Sequence, residues 1–285
     1  MNVLGFINQA KPTSLYHYTD LNALIGIVQN KELWMTNLWF LNDKNEYYEG
    51  LEIIKSELKN RKKKHSADKR VSIFLNTLDS AIELLQKQAV YVLSLTANND
   101  ILSQWRGYGN NGVNVELDLL SVAGVRLFPC IYSRTLQKEY VSHIFNRNIE
   151  LFSTTKECEK FPKGWCTDKE EEQYWDAINV AGNNFIRMCN VACALIKNKG
   201  FIEEAEWRMI KFATTTDKIF FLPKGTFIRP YIKLRLERIE KILKGIKIGQ
   251  NPEVDLCKKS IEELLKSENI NNSVQLTTSA IPYRG

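Results

Sequence analysis

The chain has 285 residues, of which 44% are hydrophobic and 25% charged, the balance of an ordinary globular protein with enough apolar material for a sizeable core. No apolar run is long enough to span a bilayer, and the start "MNVLGFINQAKP" lacks the basic, apolar and small-residue pattern of a signal peptide, so a cytoplasmic protein is expected. The net charge is +6, and the run "KNRKKKH" (Lys59 to His65) carries much of it; such a run suits nucleic acid, nucleotide phosphates or an acidic partner, and equally a solvated helix end.

Taken in chain order, "LYHYT" reads as a short strand, and Asp20 caps the helix "LNALIGIVQNKE", whose apolar residues recur at helical spacing. "LWMTN" is a second strand. Asn42 and Asp43 open a turn into the amphipathic helix "NEYYEGLEIIKSELKNRKKK", whose basic last turn suits the negative end of the helix dipole. A further helix, "KRVSIFLNTLDSAIELLQKQ", precedes the buried strand "AVYVLSLT" (Ala89 to Thr96). "NNDILSQWRGYGNNG" supplies a turn, a short helix and a loop. "VNVELD" and "VRLFPCIYS" are strands, and helices are expected over 134–154 and 168–198 around the turn "CEKFPKGWC". The alternating "EEAEWRMIKFA", then "KIFFLP", "TFIRPYIKL" and the end of "RIEKILKGIKIG", return to strand. Asn251 before Pro252 caps a last helix, and "NSVQLTTSAIPYR" closes as a strand. The irregular order implies an α+β protein: one domain over 1–285, a strand core, and helical insertions at about 43–88 and 134–198.

The six cysteines, Cys130, Cys158, Cys166, Cys189, Cys193 and Cys257, form no Cys-x-x-Cys pair, and the three histidines lie far from them. Small buried side chains, and no metal centre, are expected. Polar residues interrupt three apolar strands: His17, then Ser94 with Thr96, then Glu204 with Glu206. Side chains two apart on a strand share a face, so the two glutamates would repel unless water, an arginine or a ligand hydroxyl answers them. The bland readings are a core histidine bonded to a carbonyl, a strand-end hydroxyl satisfying a turn, and a solvent-facing edge with Arg208 as an exposed ion partner. In "SQWRGYGNNG", Trp105 and Tyr108 could wall a flat ring and Arg106 could hold a phosphate, or the two aromatics could seal the core. "NDKNE" fits a metal loop by residue type and helix capping just as well.

The landmarks "LYHYT", "LWMTN…LNDKNE", "VLSLT…LSQWRGYGNNGVNVELD", "GFIEEAEWRMI", "IKIGQNPE" and "TTSAIPYR" resemble a widespread bacterial family, domain of unknown function 2971. More loosely, the order His17, Ser94, Glu206, with Glu204-Ala205-Glu206 as a double glutamate, resembles the ADP-ribosyltransferases. That resemblance implies a split mixed or antiparallel sheet and NAD as substrate, with no metal. It gives Glu206 the task of holding a ribose hydroxyl and facing the developing positive charge, and Glu204 that of orienting or deprotonating the nucleophile. His17 would hold a ribose hydroxyl or phosphate and Ser94 would support Glu206. Tyr18, Thr96, Trp105, Arg106 and Tyr108 complete the expected NAD-binding set. A histidine with a serine departs from the usual pairings of that superfamily. A toxin or anti-phage effector acting on a nucleic-acid or protein acceptor follows by analogy. The alternatives are a nucleic-acid-binding or nucleic-acid-processing protein, and a non-catalytic sensor or interaction module.

Overall fold

The computed structural model describes residues 2–41, 44–109, 112–120, 122, 126–154 and 168–281. In chain order the elements are α1 (Val3–Ile7), β1 (Leu15–Thr19), α2 (Leu21–Gln29), β2 (Glu32–Asn37), α3 (Lys44–Lys64), α4 (Lys69–Leu84), β3 (Val90–Thr96), α5 (Leu102–Tyr108) and β4 (Val113–Leu117). There follow β5 (Leu127–Pro129), α6 (Arg134–Thr154), α7 (Asp168–Leu195), β6 (Glu206–Phe212), β7 (Phe220–Lys224), β8 (Phe227–Arg235), α8 (Ile239–Ile242), β9 (Leu243–Ile248), α9 (Val254–Ser267) and β10 (Gln275–Thr278). The protein is α+β.

The chain divides into two compact units. One comprises residues 1–7, 41–90 and 131–199 and is helical, built from α1, α3, α4, α6 and α7. Its core stacks Phe74 on Phe152 and sets Phe145 edge-on to Phe185. Buried Arg61 is held by Glu57, Asn146 and Ser142, and Lys62 pairs with Asp79. Those two members of the basic run are committed within the unit, whereas Lys63 and Lys64 are exposed.

The other unit comprises residues 8–40, 91–130 and 200–285 and carries the sheet. Among the described residues the strand order is β10-β9-β4-β1-β3-β2-β8-β7, with β6 pairing β3 and β5. β10 runs parallel to β9; β4, β1, β3, β2, β8 and β7 follow through antiparallel pairs. β3 has three partners: β1 through Tyr16 opposite Thr96, β2 through Thr36 opposite Val92, and β6. A strand has only two edges, so two of those partners share one, and the sheet branches at β3.

Several local expectations hold. The Asp20 carboxylate accepts from the Ala23 amide at 2.8 Å and caps α2. Others change. Asn251 does not cap α9, which starts at Val254; its Oδ1 accepts from the Glu253 amide at 2.8 Å and closes a turn before the helix. Only Leu127–Pro129 of "VRLFPCIYS" pairs as a strand with β6; Ile131 makes an isolated bridge to Ile196. Cys130, Cys189, Cys193 and Cys257 are buried free thiols. Asn42 and Asp43 of the expected turn, Asn110 and Asn111 of the loop, and Cys158 and Cys166 lie outside the described residues. No described helix is long and apolar enough to cross a membrane.

Candidate functional site

His17 sits at the middle of β1. The His17 ring donates from Nδ1 to the Ser94 carbonyl at 3.0 Å, because a carbonyl only accepts. That bond fixes the tautomer and leaves Nε2 as an acceptor. Burial pushes the imidazole pKa down, against the opposing pull of the Ser94 carbonyl and the Asp20 charge, so the ring is held neutral. His17 and Ser94 are therefore neighbours, but through the serine main chain. Thr96, two residues on, is buried; its hydroxyl donates to the Glu204 carbonyl at 2.6 Å and accepts from the Asn98 amide at 3.0 Å. The β3 segment thus touches both β1 and the approach to β6.

The two glutamates do not share a strand face. Residues Lys199–Glu204 form a 3-10 helix, and β6 begins only at Glu206. Between them Ala205 takes φ +41°, a left-handed conformation that breaks the period-2 alternation. Glu206 is 6% exposed and Arg208 3% exposed, which overturns the solvent-edge reading of this segment. Residues 206 and 208 lie on one face of β6, and the guanidinium grips the carboxylate with both arms, Nε to Oε1 at 2.7 Å and Nη2 to Oε2 at 2.9 Å. The forked bond supplies the cation that a carboxylate on an apolar strand requires.

The aromatic pair separates. Trp105 is 0% exposed, edge-on to Tyr18 at 4.7 Å between ring centroids, and its Nε1 donates to Asp100 Oδ1 at 2.6 Å. A Cβ on Gly109 would lie 2.5 Å from its ring and one on Gly249 2.8 Å. No face of Trp105 is left for a ligand ring, so the expected wall is a core residue. Tyr18 is buried with it: its hydroxyl donates to the Asn98 carbonyl at 3.3 Å, accepts from the Ile101 amide, and has its pKa pushed by burial up to about 12. Tyr18 therefore serves the core rather than a ligand. Arg106 and Tyr108 are exposed, Tyr108 at 44%.

The comparisons decide nothing further. No family model, curated protein or solved structure matches this chain.

A second polar constellation lies on the opposite face of β1. Paired positions line up in two rows across β1, β4, β9 and β10: Tyr16, Glu116, Gly245, Gln275 and, beside it, Tyr18, Asn114, Lys247, Thr277. All but Tyr18 border a trough of about 380 Å³. Asp100 stands beside it as a hub, accepting from Trp105 Nε1, from Ser279 Oγ at 2.7 Å and from the Ala280 amide at 3.1 Å, with Lys247 Nζ at 3.6 Å. Burial pushes the Asp100 carboxyl up, but the bonds from Ser279, Trp105 and Ala280 and the Lys247 charge prevail and hold its pKa below the usual value. Apart from Tyr18 and Trp105, the sequence singles out none of these residues. The available signal was the Asn-x-Glu alternation in "VNVELD", which sets two polar side chains on one face of an otherwise apolar strand.

Proposed function

We propose that the sheet-bearing unit is an NAD-using ADP-ribosyltransferase-like enzyme that modifies a macromolecular acceptor. The supporting observation is the adjacency of the three strands: β1 with His17 and β6 with Glu206 both pair with β3, which carries Ser94 and Thr96. Residues 17, 94 and 206, far apart in the chain, lie on β1, β3 and β6, which pair through β3. In this reading the neutral His17 offers Nε2 as acceptor to a ribose hydroxyl. Glu206, oriented by Arg208, carries the negative charge that faces the ribose as the bond from its anomeric carbon to nicotinamide breaks and the electron pair leaves with the nicotinamide nitrogen. The acceptor's nucleophile then bonds to that carbon and gives up its proton, which Glu204 is placed in sequence to receive. Lys63 and Lys64, both exposed, suit an anionic acceptor such as nucleic acid.

The test is incubation of the full chain with NAD labelled on the adenylate and, separately, on the nicotinamide, in the presence of cell lysate. Label transfer and nicotinamide release are expected, with both lost in Glu206→Gln and reduced in Ser94→Ala. Each variant's thermal midpoint is measured alongside, so that loss of fold is distinguished from loss of chemistry. Absence of both signals in the wild type refutes the reading.

A further inference from the structure

We infer that the trough on the Tyr16 face of β1, β4, β9 and β10 is a binding site for a small zwitterion of the α-amino acid class, independent of the NAD reading above. Three observations carry it.

The first is an acceptor pole. Asn114 is 1% exposed, its Nδ2 donates to the Asn99 carbonyl at 2.7 Å, and its Oδ1 has no hydrogen-bond partner among the described residues. The Asn99 bond fixes which end of the amide is oxygen, since a carbonyl must receive a donor. A buried acceptor left unanswered destabilises the fold unless something else donates to it. One row over on the same strand, Glu116 borders the same space and makes no ion pair among the described residues. Tyr16, opposite Glu116, has its pKa raised by burial and then by the Glu116 charge, so its hydroxyl keeps its proton.

The second is a donor pole. Lys247 faces Asn114 across the β4–β9 pair. Its ammonium lies 3.6 Å from Asp100 Oδ2, which also accepts from the Ala280 amide at 3.1 Å, so the ion pair is long and the three-donor ammonium retains donors for an anion. Thr277, paired with Lys247, and Gln275, paired with Gly245, add a hydroxyl and an amide.

The third is spacing. Gly245 stands opposite Glu116, and a Cβ there would lie 3.0 Å from Glu116 Oε2. With no side chain at Gly245, the Glu116 carboxylate lies over it. Glu116 and Lys247 are diagonal neighbours, with backbones roughly 7–8 Å apart. One acidic and one basic side chain therefore border the same small trough, a match for an amino group and a carboxylate carried on one carbon rather than for a diamine or a dicarboxylate.

The experiment uses saturation-transfer NMR on the full chain with pooled standard L-α-amino acids, and with methylammonium and acetate as single-function probes, followed by calorimetry on the best ligand. At least one amino acid is expected to bind, with methylammonium and acetate weaker by about tenfold or more. Glu116→Gln and Lys247→Met should each weaken binding by about tenfold, whereas Lys258→Met on exposed α9 should leave it unchanged. If either charge variant fails to fold, Gly245→Ala serves in its place, displacing the Glu116 carboxylate with a methyl group and no change of charge. The inference is overturned if no amino acid binds at millimolar concentration, if the single-function probes bind as well as the best amino acid, or if the trough variants bind like the wild type.

Discussion

Two buried carboxylate–cation pairs, one from each unit, are built differently. In the sheet unit, Glu206 and Arg208 are two residues apart on one strand and bond twice, at 2.7 and 2.9 Å. In the helical unit, Glu46 at the start of α3 meets Lys197, which follows α7, at 3.4 Å, both nearly buried. The first pair is prepared by the strand period itself, since alternate residues share a face. The second exists only after two segments distant in sequence have packed. A buried charge pair adds little net stability, but losing one partner strands the other charge. The two pairs therefore guard their units equally while demanding different things of folding.

The largest expected effects break this comparison directly. Arg208→Met should destabilise the protein by about 3–5 kcal/mol, measured by urea unfolding, with much of the loss recovered in Glu206→Gln/Arg208→Met. Lys197→Met should cost about 3 kcal/mol, at the lower end because its ion pair with Glu46 is longer, at 3.4 Å. If Lys197→Met proves the more damaging, the local pair is not the tighter one.

Backbone contacts extend the comparison. A Cβ on Gly112 in the sheet unit would lie 2.2 Å from the Thr19 carbonyl oxygen, and one on Gly50 in the helical unit 2.9 Å from the Cys193 Cα. Gly112→Ala should destabilise by about 3 kcal/mol and Gly50→Ala by about 1–2 kcal/mol, read as thermal midpoints. The order follows from the closer approach.

A smaller effect separates the units by pH. The His17 pKa in the fold lies below its unfolded value, so the unfolded chain takes up the proton first. The stabilisation is complete above about pH 6.5 and is lost as pH falls through that value toward the folded pKa. Thermal midpoints should drop between pH 7 and 5, and His17→Gln, in the sheet unit, should flatten that drop. The smallest effect is Ala205→Gly, which relieves the positive φ and should stabilise by at most about 1 kcal/mol.

Much of the fold was legible. The shift from period 3.6 to period 2 separates the helices of 44–84 and 134–195 from the strands, and Asp20 announces α2 through its side-chain oxygen. The candidate site was less so. Glu204 reads as a strand residue because alternation is a pattern of side chains, whereas a single left-handed backbone at Ala205 is decided by the main-chain bonds on either side: the Glu204 carbonyl accepts from Thr96, and the Ala205 carbonyl from the Ala97 amide. Trp105 reads equally as a wall for a flat ring and as a seal on the core, because the sequence does not show that Gly109 and Gly249 close over it.

Local chemistry alone determined that this chain forms helices and half-buried strands, that Asp20 caps and that Arg208 stands beside Glu206, since neighbours along the backbone settle each of these. Only the tertiary structure decided that β1 and β6 flank one strand, that Trp105 belongs to the core, and that Glu116 and Lys247 face each other diagonally across a trough. Those relations depend on strand order and register, which are fixed by long-range pairing and burial, so the residues concerned carry no mark of them in the sequence.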